Sequence, residues 1–229
     1  MADILIQAAA LHKSYASGDA VVKALDGVDL VVERGAFVVL SGRSGSGKTT
    51  LLNMFGALDR PDCGTLTLAG QDLLAMSAAE RARFRLRHLG FVFQAYNLIR
   101  VLNARENVAY VLQLQGMDKK QRFASADRWL AAVGLAGFEQ RRPDQMSGGQ
   151  QQRVAVARAL AAAPDLILAD EPTANLDSHN GESLIALMER LNREEGTTFV
   201  IASHDPTVIA AARTLVTMQD GRIEAVNHL

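Results

Sequence analysis

Gly42-Arg43-Ser44-Gly45-Ser46-Gly47-Lys48-Thr49-Thr50 matches the phosphate-cradling pattern G-x-x-x-x-G-K-[ST]. In such a loop, backbone N–H groups wrap an anion, the lysine (Lys48) reaches the terminal phosphates, and the first threonine (Thr49) offers a hydroxyl to Mg²⁺. The flanks have the required order. Phe37-Val38-Val39-Leu40 is a continuous apolar run suited to a buried strand, and Thr50 to Phe55 reads as a helix. The start of that helix would add free N–H groups and a partial positive charge to the anion site. A merely flexible Gly/Ser loop does not account for Lys-Thr at the helix start.

Working outward, the stretch before the loop holds short β-like runs, Ile4 to Ile6, Val28 to Val32 and Phe37 to Leu40, separated by Gly18, Gly27 and Gly35. Thr65 to Leu68 alternates cleanly. These predict an antiparallel sheet layer that leads into the loop and resumes after its helix stops near Asp59-Arg60-Pro61. Ser77 with Glu80 has capping-box spacing and starts a basic helix through Arg81, Arg83, Arg85 and Arg87, read as a solvated face. Leu89 to Phe93 is a second buried-strand candidate that ends on Gln94.

From about 103 to 163 strand signals vanish. Asn103 with Glu106 and then Asp118 each cap a helix, the second carrying Trp129 as a core residue and ending at Gly134. A third runs from Gln150 to Ala163 and closes at Pro164. The β/α alternation then returns with Leu166 to Ala169, a helical stretch over Leu184 to Leu191, and Phe199 to Ala202. Asp220-Gly221 marks a hairpin turn. The expected fold class is α/β, with a discontinuous core, an antiparallel β subdomain and a helical subdomain of about 95–163 inserted in one domain over 1–229.

Whole-chain properties narrow the function classes. A chain of 229 residues at 48% hydrophobic content can bury a large core, and a net charge of −1 carries no bulk electrostatic case for nucleic acid. Cys63 is the single cysteine, so no intramolecular disulfide or thiolate zinc site is expected, and a role as a small turn residue suffices. The first residues lack the charged and apolar regions of a signal peptide, and no apolar run approaches about 20 residues. The chain therefore reads as cytoplasmic, working on a membrane only through another subunit.

Two further clusters carry chemistry. Asp170 and Glu171 follow four apolar residues, so a buried strand would deliver two carboxylates at its carboxyl edge, where ligands of parallel sheets bind. In a phosphate-loop ATPase, Asp170 would hold Mg²⁺ and Glu171 would take a proton from the attacking water. Ser147-Gly148-Gly149-Gln150-Gln151 opens a helix with a hydroxyl and two residues lacking side chains, a second anion-binding helix start.

The phosphate loop, Gln94, Ser147 to Gln151, Leu166 to Glu171, Asn175-Leu176-Asp177 and Ser203-His204-Asp205 occur in the order of an ABC transporter ATPase, which the chain resembles over nearly its whole length. The resemblance implies that two subunits sandwich two Mg·ATP head to tail, with nucleotide held by Gly42, Ser44, Gly45, Ser46, Gly47, Lys48, Thr49 and Thr50 of one subunit and Ser147, Gly148, Gly149 and Gln150 of the other. It further implies Tyr15 stacking on adenine, Gln94 contacting Mg²⁺ and water, Asp177 bridging the subunits, and His204 holding the γ-phosphate. Met146 stands where the family usually has Leu, and Ala174-Asn175 where many relatives have Ser-Ala.

Details such as Gly90 to Gln94, Asn97-Leu98, Glu106 to Val108 and Ile167 to Thr173 are similar to the lipoprotein-releasing (LolD) and macrolide-exporting (MacB) subgroup. Its members pair with permeases that have few membrane spans and a large periplasmic domain, which implies an integral membrane permease on a separate chain. The expected location is the cytoplasmic face of the inner membrane, with no nucleic-acid partner. A cell-division ATPase resembling FtsE and an ABC ATPase acting on DNA or ribosomes are the alternatives. The helical insert of roughly 60 residues is the size for permease docking, and Ala95 to Arg100 are the candidate contact. The long coiled coil of DNA-acting members and the second cassette of translation factors are both missing.

Overall fold

In the computed structural model, which describes residues 3–18 and 20–229, strand β3 (Phe37–Ser41) is buried at all five positions. Side chains alternate across a strand, so Phe37 and Val39 enter one apolar cluster while Val38 and Leu40 enter another on the opposite face. Such a strand needs cover on both sides. It therefore lies inside a mostly parallel sheet rather than in the antiparallel layer that precedes it in sequence. The sheet order is β10(Arg222–His228), β9(Thr214–Gln219), β3, β8(Thr198–Ala202), β7(Leu166–Asp170), β6(Leu89–Phe93). All neighbours run parallel except β10 against β9.

One face is covered by helices. Between Phe93 and Leu166 the chain holds only helices and turns: α3(Ala104–Leu114), α4(Lys119–Ala132), a single 3-10 turn and α5(Gly148–Ala161). Val108, Leu112, Trp129, Leu130 and Val154 from these helices share one core with Ile167, Phe199 and Leu184 of α6(Ser178–Glu195). The other face carries α1(Lys48–Phe55) and a four-stranded antiparallel sheet, β2(Ala20–Glu33), β1(Ile4–Ser17), β4(Cys63–Leu68), β5(Gln71–Asp72). Leu5, Ile6, Val28, Leu51 and Phe55 are buried there, each contributing on the order of 1.5–3 kcal/mol.

The local signals govern the ends of the elements. Capping boxes at Ser77/Glu80 and Asn103/Glu106 start α2(Ala78–His88) and α3, and Asp118 caps α4. Asp220 and Gly221 both adopt positive φ, 49° and 77°, as a two-residue hairpin turn requires. Three boundaries differ from expectation. Helix α1 begins at Lys48 and ends at Phe55, well before Pro61, because Gly56 closes it and Ala57 turns left-handed. Helix α5 begins at Gly148 and ends at Ala161. The expected short strands of the first 33 residues are two long ones, since Gly27 does not end β2. Leu11 pairs with Val28 and His12 with Asp26, which leaves Gly27 as the extra residue of a bulge.

Candidate active site

The carboxyl ends of β3, β7 and β8 converge on one edge of the parallel sheet. At the end of β3 the chain wraps into the Gly-rich loop, and α1 starts at Lys48. A Cβ placed on Gly47, where φ is 102°, would lie 2.5 Å from the Ala24 carbonyl oxygen, so only glycine fits against β2 here. Lys48 is buried and folds back across the loop, its Nζ donating to the carbonyl oxygens of Gly42 at 2.7 Å and Arg43 at 3.1 Å. Among the described residues, the N–H groups of Gly45, Gly47, Lys48 and Thr49 donate to no backbone carbonyl. Ser46 Oγ is buried and also unpartnered. The loop borders a cavity of about 450 Å³ lined by Val22, Ala24, Ser44 to Thr50, Glu171 and His204. Its chemistry is that of an anion cradle with an apolar side wall.

Strands β7 and β8 bring the carboxylates to the same place. Thr49 Oγ1 donates to Asp170 Oδ1 at 3.2 Å. Glu171 follows with a left-handed φ of 45°, a backbone state that costs a non-glycine residue of order 1–3 kcal/mol and clusters at functional positions. Both its oxygens are engaged: Ser203 Oγ donates to Oε2 at 3.0 Å and His204 Nδ1 lies 2.7 Å from Oε1. His204 is itself largely exposed, whereas Glu171 is mostly covered.

Burial pushes the Asp170 carboxyl above the ordinary range; the neighbouring Glu171 charge adds to this, while the Thr49 hydroxyl and Lys48 oppose it. Ionising Asp170 therefore costs more in the fold than in the unfolded chain, and stability falls as pH rises through the raised value. Asp170→Asn is expected to raise the melting temperature at neutral pH, without nucleotide or magnesium, by roughly 2 °C. Calorimetry at pH 7 and pH 4 tests this, because the gain must shrink as the native carboxyl becomes protonated. The same burial suits a cation. Thr49 hydroxyl and Asp170 carboxylate are hard oxygen donors of the kind Mg²⁺ takes, one or two per site beside phosphate oxygens. Among the described residues no group of three His, Cys, Asp or Glu side chains forms a metal cluster.

Other sequence-predicted residues lie outside this cavity. Gln94 is exposed after β6, and its carbonyl oxygen accepts from Asn175 Nδ2 at 2.9 Å. The Tyr15 hydroxyl donates to Asp59 Oδ2 at 2.7 Å, and partial burial together with that carboxylate pushes its pKa up to about 12. Its cross-strand partner is Val22, which does line the cavity. Ser147, Gly148, Gly149 and Gln150 line no part of it. They form the capped start of α5, with Gln150 N–H donating to Ser147 Oγ at 3.3 Å and Ser147 N–H to Gln150 Oε1 at 2.9 Å. Asp177 caps α6 through Asn180 N–H at 2.9 Å, a bond that holds its carboxyl below the usual range.

Sequence reasoning missed Val22 and Ala24, which are ordinary strand residues with no local mark. It also missed two side-chain ties from α5. Arg158 donates to the carbonyl oxygens of Tyr96 and Asn97, at 3.0 and 2.6 Å, where both residues are left-handed. Gln152 Nε2 reaches the Pro172 carbonyl at 2.9 Å. The amide pattern after Ser147-Gly148-Gly149 could have flagged Gln152, since a glutamine on the buried side of a helix needs a partner.

The sequence profile of the family described as ABC transporter matches residues 25–174. The chain is 44% identical over 226 residues to a protein of Shewanella sp. (strain MR-4) named lipoprotein-releasing system ATP-binding protein LolD, covering 99% of this chain and 98% of that one. It is 42% identical over 219 residues to the macrolide export ATP-binding/permease protein MacB of Escherichia coli (strain K12), covering 96% of this chain and 34% of that larger protein. Among solved structures, a dimeric post-hydrolysis state of the ATP-binding cassette MJ0796 bound to ADP and Pi superposes with a TM-score of 0.90 at 38% identity, covering 98% and 99% of the two chains.

Proposed function

The chain belongs to the ABC transporter family as an ATP-hydrolysing cassette, and we propose that two copies close head to tail around two Mg·ATP to drive a separate membrane permease. The observation that carries this reading is an incomplete site. One subunit supplies a phosphate cradle with Glu171 and His204 on its rim, while its second anion-binding helix start, Ser147 to Gln150, lines no part of that cavity. A partner subunit placed head to tail supplies that helix start, and with it the charge that faces the γ-phosphate.

In this mechanism the loop amides and Lys48 bind the β- and γ-phosphates, and Val22 with Tyr15 forms the adenine side of the cradle. Thr49 and Asp170 would hold Mg²⁺, which supplies neutralisation of phosphate charge. Glu171 orients a water against the γ-phosphorus. The water oxygen bonds to phosphorus, its proton passes to Glu171, and the bridging oxygen leaves on ADP. Glu171 needs one oxygen free for this step. His204, the exposed partner, swings from Oε1 to the γ-phosphate, while Ser203 keeps Oε2 in place. Asp177 meets the partner subunit, and Gln94 links the water to the permease. Most of the catalysis is positioning and charge stabilisation.

The mechanical output is closure on ATP and reopening after hydrolysis. Residues 1–229 act as one cassette, with 95–163 as its helical insert. Tyr96, Asn97, Leu98 and Arg100 line a cleft of about 720 Å³ with Pro143 and Asp144, a site for a cytoplasmic loop of the permease. Arg158 would pass a push on that cleft to α5. No described helix is long and apolar enough to cross a membrane. In this reading the membrane-crossing work falls to the permease, and this chain sits on the cytoplasmic face of the inner membrane. The likeness to LolD and MacB supports a permease with a large periplasmic domain, used for lipoprotein release or export.

Affinity purification from detergent-solubilised native membranes, with mass spectrometry of what accompanies the chain, tests the assignment. A permease with a large periplasmic domain is the expected companion. Recovery of a cell-division partner would replace export with wall control, and recovery of only ribosomal or DNA-associated proteins would remove the transport role.

A further inference from the structure

We propose that Gly221, in the hairpin turn between β9 and β10, is a positioning residue that aims the Gly47 amide at the nucleotide's phosphates. This rests on the reading of Gly42 to Thr50 as the nucleotide cradle. Gly221 lies far along the chain from the loop and beyond the residues 25–174 matched by the family profile, yet its backbone stands directly behind the loop. Its N–H donates to the Ser46 carbonyl oxygen at 3.1 Å, and its own carbonyl oxygen accepts from Asp26 N–H at 2.9 Å. The turn is thus held between β2 and the phosphate loop.

The bond to Ser46 has a geometric consequence. The carbonyl of Ser46 and the N–H of Gly47 belong to one peptide unit, and every described peptide is trans. In a trans unit the two groups point in opposite directions. With the carbonyl drawn toward Gly221, the Gly47 N–H must face the other way, and Gly47 lines the phosphate cavity. Were this peptide to rotate, an acceptor would replace a donor in front of an anion. Gly221 therefore prevents a flip that would turn attraction into repulsion.

The position tolerates only glycine. Gly221 has a φ of 77°, and a Cβ there would lie 2.9 Å from the Ala24 carbonyl oxygen and 3.2 Å from Leu25 Cα. A Cβ on Gly47 would meet the same Ala24 carbonyl oxygen, at 2.5 Å. Arg222, the next residue, clasps Asp26 through Nε at 3.1 Å and a terminal nitrogen at 2.7 Å, which fixes the turn along β2. Two glycines and a side-chain clasp thus bring the β subdomain, the C-terminal hairpin and the phosphate loop to one point.

The test is Gly221→Ala, with Lys48→Ala as reference. Gly221→Ala is expected to weaken ADP about tenfold, the size of one charge-assisted hydrogen bond. The KM for ATP should rise similarly, with kcat within about twofold. A merely structural defect would instead lower the active fraction, and so kcat, leaving KM unchanged; that split, or ADP affinity equal to the native protein's, overturns the inference. If Gly221→Ala does not fold, amide hydrogen exchange on the native protein decides. The Gly221 amide should exchange slowly and more slowly still with ADP, whereas equal exchange with and without ADP overturns the proposal. Should Lys48→Ala also bind ADP normally, the cradle reading fails, which separates that failure from failure of the Gly221 inference alone.

Discussion

Glu171→Gln is expected to lower ATP turnover by about 10²–10⁴-fold, the range for removing a positioned general base. Gln keeps the shape of the side chain and can still accept from Ser203 through its amide oxygen, so the fold and the cradle should survive. It cannot take a proton from water. ATP should therefore still bind, and because closure on ATP precedes hydrolysis, the closed dimer should accumulate. Phosphate release measures the first effect. Size-exclusion chromatography with and without ATP measures the second, and the native protein at the same concentration should show less dimer. Hydrolysis at the native rate would take the role of base away from Glu171.

Mixing two inactive variants should restore activity. Lys48→Ala removes the ammonium that crosses the loop, and Ser147→Arg puts bulk and a long side chain at the start of α5. Each alone is expected to reduce turnover by at least about 100-fold, since every site in either homodimer is broken. In a mixed dimer with head-to-tail sites, one site carries both lesions and the other carries none. Random pairing makes about half the dimers mixed, each with one intact site, so about a quarter of native activity should return if the sites act independently. No recovery would mean either that both sites must fire together or that α5 of the same subunit completes its own site. A crosslinked mixed dimer distinguishes these, because an intact site that binds ATP without turning it over identifies the first case.

The parts of this molecule that could be read in advance are those whose meaning lies within one turn of chain. Ser77 with Glu80, Asn103 with Glu106 and Asp220-Gly221 each announce a hydrogen-bond pattern closed by residues two to four positions apart, and each occurs as expected; Lys48-Thr49 stands at a helix start, although the Lys48 ammonium bonds five and six residues back. Phe37 to Leu40 was legible as a buried strand for the same reason, through its unbroken apolar run. Its sheet was less so. A run buried on both faces says that it needs two neighbours, and the choice of β8 and β9 depends on strands that begin more than 150 residues later.

By itself the sequence determined that a phosphate loop, a strand-end carboxylate pair and a second glycine-rich helix start exist in one chain, and their order identified the family. Only the tertiary structure decided what stands beside what. It placed Val22 and Ala24 on the wall of the cavity, His204 on Glu171, Gly221 behind Ser46, and the start of α5 outside the cavity. The physical reason is that caps and turns are closed by hydrogen bonds between near neighbours, which demand particular side chains at fixed spacing. The approach of distant segments is driven by apolar burial, which is non-directional and roughly proportional to area. Many residue types satisfy it equally well, so it leaves no spacing in the sequence to be read.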